Sequence, residues 1–190
     1  MTPFSTLAIP RGGVEVGYQV ASHLDADFAI LVARKLPFPY DPEAGFGAIA
    51  EDGSTFMVEG ADVWLSRPTI EKIIDTQRRE IARRIDVLRQ GEPLPEIRGR
   101  TVILIDDGIA MGSTMCASIA MCKKRGAART VVAVPVTGED RAREVGALVD
   151  EIVVLEKPPG FRAVAQVYRN WYDVSDEEVL DIMKEWKRQH

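Results

Sequence analysis

"VILIDDGIAMGST" (residues 102–114) sets four apolar residues ahead of two adjacent acids, then runs through Gly108 and Gly112 into Ser113 and Thr114. The apolar run reads as a buried strand and the residues after Gly112 as the start of a helix. Neighbouring carboxylates repel, and a partly buried charge is costly unless a cation or hydroxyl groups meet it. Asp106 and Asp107 are therefore candidates for a site. A loop that leaves a parallel strand and opens a helix gathers backbone N–H groups at the positive end of the helix dipole, which suits a phosphate. Gly112 allows close backbone approach, and Ser113 and Thr114 offer hydroxyls. Neither G-x-x-x-x-G-K-[ST] nor G-x-G-x-x-G is present, so a P-loop and a dinucleotide fold are unsupported. An acid pair directly before an anion cradle fits a sugar phosphate. The carboxylates accept from vicinal ribose hydroxyls while the loop holds the phosphate.

Outward from this stretch, short β-rich runs occur at 6–9, 28–33, 46–50, 101–105, 130–136 and 151–155, alternating with helical patterns at about 14–24, 67–90, 113–125 and 139–147. That alternation predicts an α/β fold, a mostly parallel central sheet with helices on both faces. The 67–90 helix has Pro68 in its first turn and Ile70, Ile73, Ile74, Ile81, Ile85 and Leu88 on one stripe. Its other face carries Arg78, Arg79, Arg83, Arg84 and Arg89, and is expected to be solvated. From Lys157 the chain is rich in aromatics and has no helix period until Ser175 and Glu178 form a capping box before Val179, Leu180, Met183 and Trp186. One domain over 1–190 is expected, with a core at about 5–58 and 100–156, a helical insertion at about 66–92 and a tail at 157–190.

The chain has 190 residues, 46% apolar and 28% charged, with a net charge of -5. This is the composition of a globular protein with a substantial core. A mildly acidic total leaves no basic footprint for nucleic acid. No apolar run approaches the roughly 18 residues of a membrane span, and no secretory signal is visible at the N-terminus, so a cytoplasmic location is expected. Cys116 and Cys122, six apart on one predicted helix, read as reduced core residues. His23 falls on the polar side of its helix pattern and is not a candidate base.

An apolar run, Asp-Asp, three variable residues and a small loop ending in Gly-x-Thr resembles the signature of the type I phosphoribosyltransferases. The resemblance extends from residue 5 to about 180, with "IPRGG" (9–13), "ARKLPFPYDPEAGFG" (33–47) and a C-terminal "SDEEV". It implies the type I fold, with a helical insertion and a C-terminal hood. It also implies an enzyme that binds 5-phosphoribosyl 1-diphosphate (PRPP) with Mg2+ and transfers the phosphoribosyl group to a purine or pyrimidine base, releasing pyrophosphate. Asp106 and Asp107 would bind the ribose 2'- and 3'-hydroxyls, and Ala110, Met111, Gly112, Ser113 and Thr114 the 5'-phosphate. Pro10, Arg11, Gly12 and Gly13 would form the pyrophosphate loop, across a cis Pro10–Arg11 link, with Arg34 and Lys35 meeting the same group. Asp106, Asp107 and Lys35 are then the catalytic candidates, and Asp107 would reach Mg2+ through water. The loop at 36–46 would close over the site. Phe161, Tyr168 and Trp171 in the hood would stack on the base, and the family implies a homodimer.

Three departures stand out. The group commonly carries a helix ahead of the first strand, whereas here the strand pattern begins almost at once. Threonine is usual where Met111 stands, and a thioether cannot donate to a phosphate. Ala110 replaces the aspartate that hypoxanthine-guanine enzymes place near the purine. Met111 and Ala110 together leave open a rival, a non-catalytic PRPP or nucleotide sensor on the same fold.

Overall fold

The computed structural model describes residues 4–190. Five strands, β1 (Phe4–Ala8), β2 (Asp27–Ile30), β6 (Thr101–Ile105), β7 (Arg129–Val136) and β8 (Glu151–Glu156), form one wholly parallel sheet in the order β2-β1-β6-β7-β8. The crossovers are α1 (Gly12–Leu24), α4 (Ser113–Lys124) and α5 (Glu139–Gly146), with a longer excursion between β2 and β6. Successive side chains on a strand point to opposite faces. Leu7 accordingly joins a core cluster with Leu104, Met115, Met121 and Val132, while Ala8 joins another with Val14, Ile30, Phe46, Ile81 and Trp186.

The apolar run at 28–33 is not one strand. Leu31 N still donates to Ala8 O, but the backbone N–H of Val32 is taken by the Glu51 carboxylate at 2.9 Å. The chain then leaves the sheet and starts β3 (Ala33–Pro37) in a second, antiparallel sheet with β4 (Gly45–Ala50) and β5 (Thr55–Met57). The expected strand at 46–50 thus belongs to this smaller sheet, and the three-residue β5 is too short to show a pattern. A short helix, α2 (Ala61–Trp64), follows. α4 packs against both sheets, which is why Met115, Cys116, Ala117, Ile119, Met121 and Cys122 are all buried. Both cysteines are free thiols.

α3 (Arg67–Arg89) begins at Ser66, whose hydroxyl accepts from Thr69 N, and lays Ile81 and Leu88 into the core. On its arginine face Arg78, Arg79 and Arg83 are exposed, as a solvated face requires, and the departure is at the C-terminal end. Arg89 is paired with Glu51 at 2.9 Å, the two side chains only 7% and 8% exposed, and it also donates to Ile30 O at 3.0 Å. The pair clamps the end of α3 to the β2–β3 crossover. α6 (Asp176–Gln189) starts with the expected capping box, Ser175 N donating to Glu178 and Glu178 N to Ser175 Oγ. Its Trp186 meets Phe28 edge-on at 5.2 Å and Tyr18 at 6.0 Å, holding the C-terminal helix to the sheet. No helix among the described residues is long and apolar enough to cross a membrane.

Candidate active site

In a parallel sheet a crevice opens beyond the carboxyl ends of two neighbouring strands whose chains depart in opposite directions. β1 and β6 are such neighbours: the chain from β1 returns in β2 on one side, and the chain from β6 returns in β7 on the other. Loops 9–13 and 106–112 therefore meet at the crevice. They meet closely. A Cβ on Gly12 would lie 2.0 Å from Asp107 Oδ2, so no other residue fits there without displacing the acid pair. A Cβ on Gly13 would stand 2.9 Å from Asp106 Cα. The Pro10–Arg11 peptide is cis, as the resemblance implied.

The two carboxylates are held at cost. Burial first, then the neighbouring Asp107 carboxylate, pushes Asp106 well above the usual carboxylate range. Burial also raises Asp107, with Glu15 adding repulsion. Asp107 N donates to Asp106 Oδ1 at 2.9 Å, fixing the rotamer of the first acid. Beyond them Gly112 adopts φ 82°, a left-handed turn that suits glycine, and caps α4 with no side-chain partner. The first-turn N–H groups of α4 have no intrahelical acceptor and point out of the helix end.

A cavity of about 480 Å³ lies against this loop, lined by residues 108–115, Asp106, Lys35, residues 43–45 and Val164. It gathers all five residues expected at the 5'-phosphate, one of the two acids, and Lys35. Met111 lies on the rim, 67% exposed. Lys35 Nζ donates to Glu43 O at 2.5 Å, which ties the 38–44 loop to β3. Arg34, one residue earlier, points to the other face of the small sheet. There it donates to Gln77 of α3 at 3.2 Å, and burial together with Arg84 lowers its pKa. Arg34 does not reach the cavity. Arg11 also turns outward, 3.5 Å from Asp176 at the start of α6.

The tail closes the site from the other side, by contacts other than those expected. Val164, in a short 3-10 turn, lines the cavity and packs on Gly108. Tyr168 donates its hydroxyl to Asp107 O at 2.6 Å, and burial, with Asp107 and Asp106 nearby, pushes its pKa up to about 12. Trp171 packs edge-on against Tyr168 at 5.3 Å, and Tyr172 donates to Glu15. Phe161 borders a neighbouring cleft of about 610 Å³ with Gly138 and Lys157, which shares Ala110 with the first cavity. Of the three aromatics expected at a base, then, none lines the first cavity, and Tyr168 is an anchor of the tail. Val164 escaped the sequence reading because nothing distinguishes it in a stretch without periodicity. Among the described residues no group of three or more His, Cys, Asp or Glu side chains could hold a metal ion.

Comparison with known proteins agrees with this geometry. The family model for the phosphoribosyl transferase domain matches residues 5–168. Two provisionally named phosphoribosyl transferases of Mycobacterium tuberculosis, from strains CDC 1551 and H37Rv, are each 38% identical over 92% of this chain. The chain spans about 40% of their length. The crystal structure of TT1426 from Thermus thermophilus superposes with a TM-score of 0.81 at 33% identity, covering 98% of this chain and 89% of that one. With the acid pair, the glycine loop and the cis peptide all inside the matched span, this chain belongs to the phosphoribosyl transferase domain family and has the type I fold.

Proposed function

We propose that this protein transfers the 5-phosphoribosyl group of PRPP to a nitrogenous base and releases pyrophosphate. The observation that carries this reading is the meeting of Asp106 with the 110–114 loop and Lys35 in one cavity at the β1/β6 crevice, with Asp107 next to it against Gly12. Asp106 and Asp107 accept from the two ribose hydroxyls, and their charge faces a ring that becomes cationic as the bond to the leaving group breaks. The amides of 110–114 and the hydroxyls of Ser113 and Thr114 hold the 5'-phosphate at the α4 N-terminus. Lys35 and the amides of Arg11, Gly12 and Gly13 meet the negative charge that grows on the pyrophosphate. Lys35 leaves the Glu43 carbonyl when that group arrives, and the 38–44 loop is freed to close. Val164 and the tail anchored by Tyr168 exclude water from the reacting carbon.

The donor set fits Mg2+ carried in on the substrate. This ion keeps waters and takes one or two carboxylates along with phosphate oxygens, a role open to Asp107 through water and to Asp106 through the ribose hydroxyls. When bound, it would neutralise the diphosphate.

The reading is tested by incubating the purified protein with PRPP, Mg2+ and a panel of purine and pyrimidine bases while following pyrophosphate. Base-dependent release is expected with at least one of them. PRPP binding without release from any base would favour the sensor, which Met111 and Ala110 permit. No PRPP binding at all would overturn the reading.

A further inference from the structure

The phosphate loop carries no cation of its own. Among the described residues the cation lining the cavity is Lys35, and it is occupied on the small sheet. Met111 contributes no donor. A second positive charge reaches the loop from the next strand–helix junction. Thr137 Oγ1 donates to Ile109 O at 2.7 Å and Ile109 N to Val136 O at 2.9 Å, so the ends of β6 and β7 are fastened together. α5 begins directly after, and Arg141 in its first turn lies along Gly112. A Cβ on Gly112 would stand 2.9 Å from Arg141 Cδ and 3.6 Å from its Nε. The arginine stem thus fills the space that a side chain at this left-handed glycine would need. Its guanidinium is pinned through Nη1 to Glu144, one turn along, while Nε is buried with no hydrogen-bond partner. A buried guanidinium N–H without an acceptor is costly and calls for an explanation.

We propose that Arg141 is a positioning residue for the 5'-phosphate, bracing the Gly112 turn and setting a fixed positive charge behind the amides of Ser113 and Thr114. The inference rests on the phosphoribosyl reading. It explains how a loop with a thioether in place of a hydroxyl holds a dianion: the charge comes from α5.

The test titrates ribose 5-phosphate and, separately, pyrophosphate into wild type, Arg141→Met, Arg141→Lys and Glu144→Gln by calorimetry, at low and high salt. Arg141→Met is expected to weaken ribose 5-phosphate about tenfold and to leave pyrophosphate unchanged, with Arg141→Lys recovering most of the loss. Glu144→Gln removes the neutralising carboxylate and keeps the stem, so it should tighten ribose 5-phosphate about twofold at low salt and less at high salt. Equal ribose 5-phosphate affinity in wild type and Arg141→Met, or equal loss for both ligands, overturns the role of Arg141 alone. If Arg141→Met does not fold, Glu144→Gln decides, and unchanged or weaker binding there counts against the role. A wild type that binds no ribose 5-phosphate overturns the phosphoribosyl reading itself.

Discussion

A carboxylic acid with the burial of Asp106 and an acid beside it holds its proton more tightly in the fold than in the unfolded chain. Its contribution to stability is then fully present below about pH 4 and is lost as pH rises through the raised folded value. Asp106→Asn should therefore melt a few degrees higher than wild type at pH 7, and the difference should close toward pH 4, as paired thermal melts would show. The same substitution should weaken ribose 5-phosphate binding about tenfold or more, since the charge that opposes folding is the one proposed to meet the ribose. At Met111 the change runs the other way. Met111→Thr restores a donor on an exposed rim position without altering the loop, and PRPP affinity measured with Mg2+ should rise about tenfold. A flat response would mean that no phosphate sits within reach of residue 111. The acids and the loop were legible because their chemistry is unusual for a strand end. The contrast between Lys35 and Arg34 was not, because adjacent strand residues face opposite ways and nothing local says which way is inward.

The arginines of α3 make the same point for an element. Their spacing is the same whether a residue faces water or a buried acid supplied by another part of the chain. Arg89 finds Glu51, which lies 38 positions earlier. Removing one partner of a buried pair strands the other charge, so Glu51→Gln should cost about 3–5 kcal/mol, read from urea unfolding. Replacing both, as Glu51→Leu with Arg89→Met, should recover only part of that loss, since Val32 N and Ile30 O then lose their side-chain partners. The division of 28–33 was hidden for a related reason. An apolar run records burial, and both halves are buried; only the Glu51 carboxylate on Val32 N marks where the chain changes sheets.

At the scale of the molecule, the parallel sheet, its crossover helices, the long insertion helix and the capped C-terminal helix could all be read from periodicity. The antiparallel sheet could not, being assembled from short strands that pair with one another and not with the main sheet. One apolar cluster takes Ala8 and Ile30 from the large sheet, Phe46 from the small one, Ile81 and Leu88 from α3, and Val179 and Trp186 from α6. We propose on that ground that core, insertion and tail are one cooperative unit. Far-ultraviolet circular dichroism and tryptophan fluorescence should trace coincident urea transitions, and an early fluorescence change would separate the tail from the rest. The walls of the cavity nevertheless belong to different sheets, Lys35 and Gly45 to the small one, Asp106 and the α4 N-terminus to the large one. Leu31 and Val32 are the shortest link between those sheets, and the Glu51–Arg89 pair is fixed to both sides of that link. On the proposed reading the aperture of the site follows the angle between the sheets, as in a pair of jaws about a fulcrum, and Arg89→Met should weaken the grip on a ligand that Arg89 never touches.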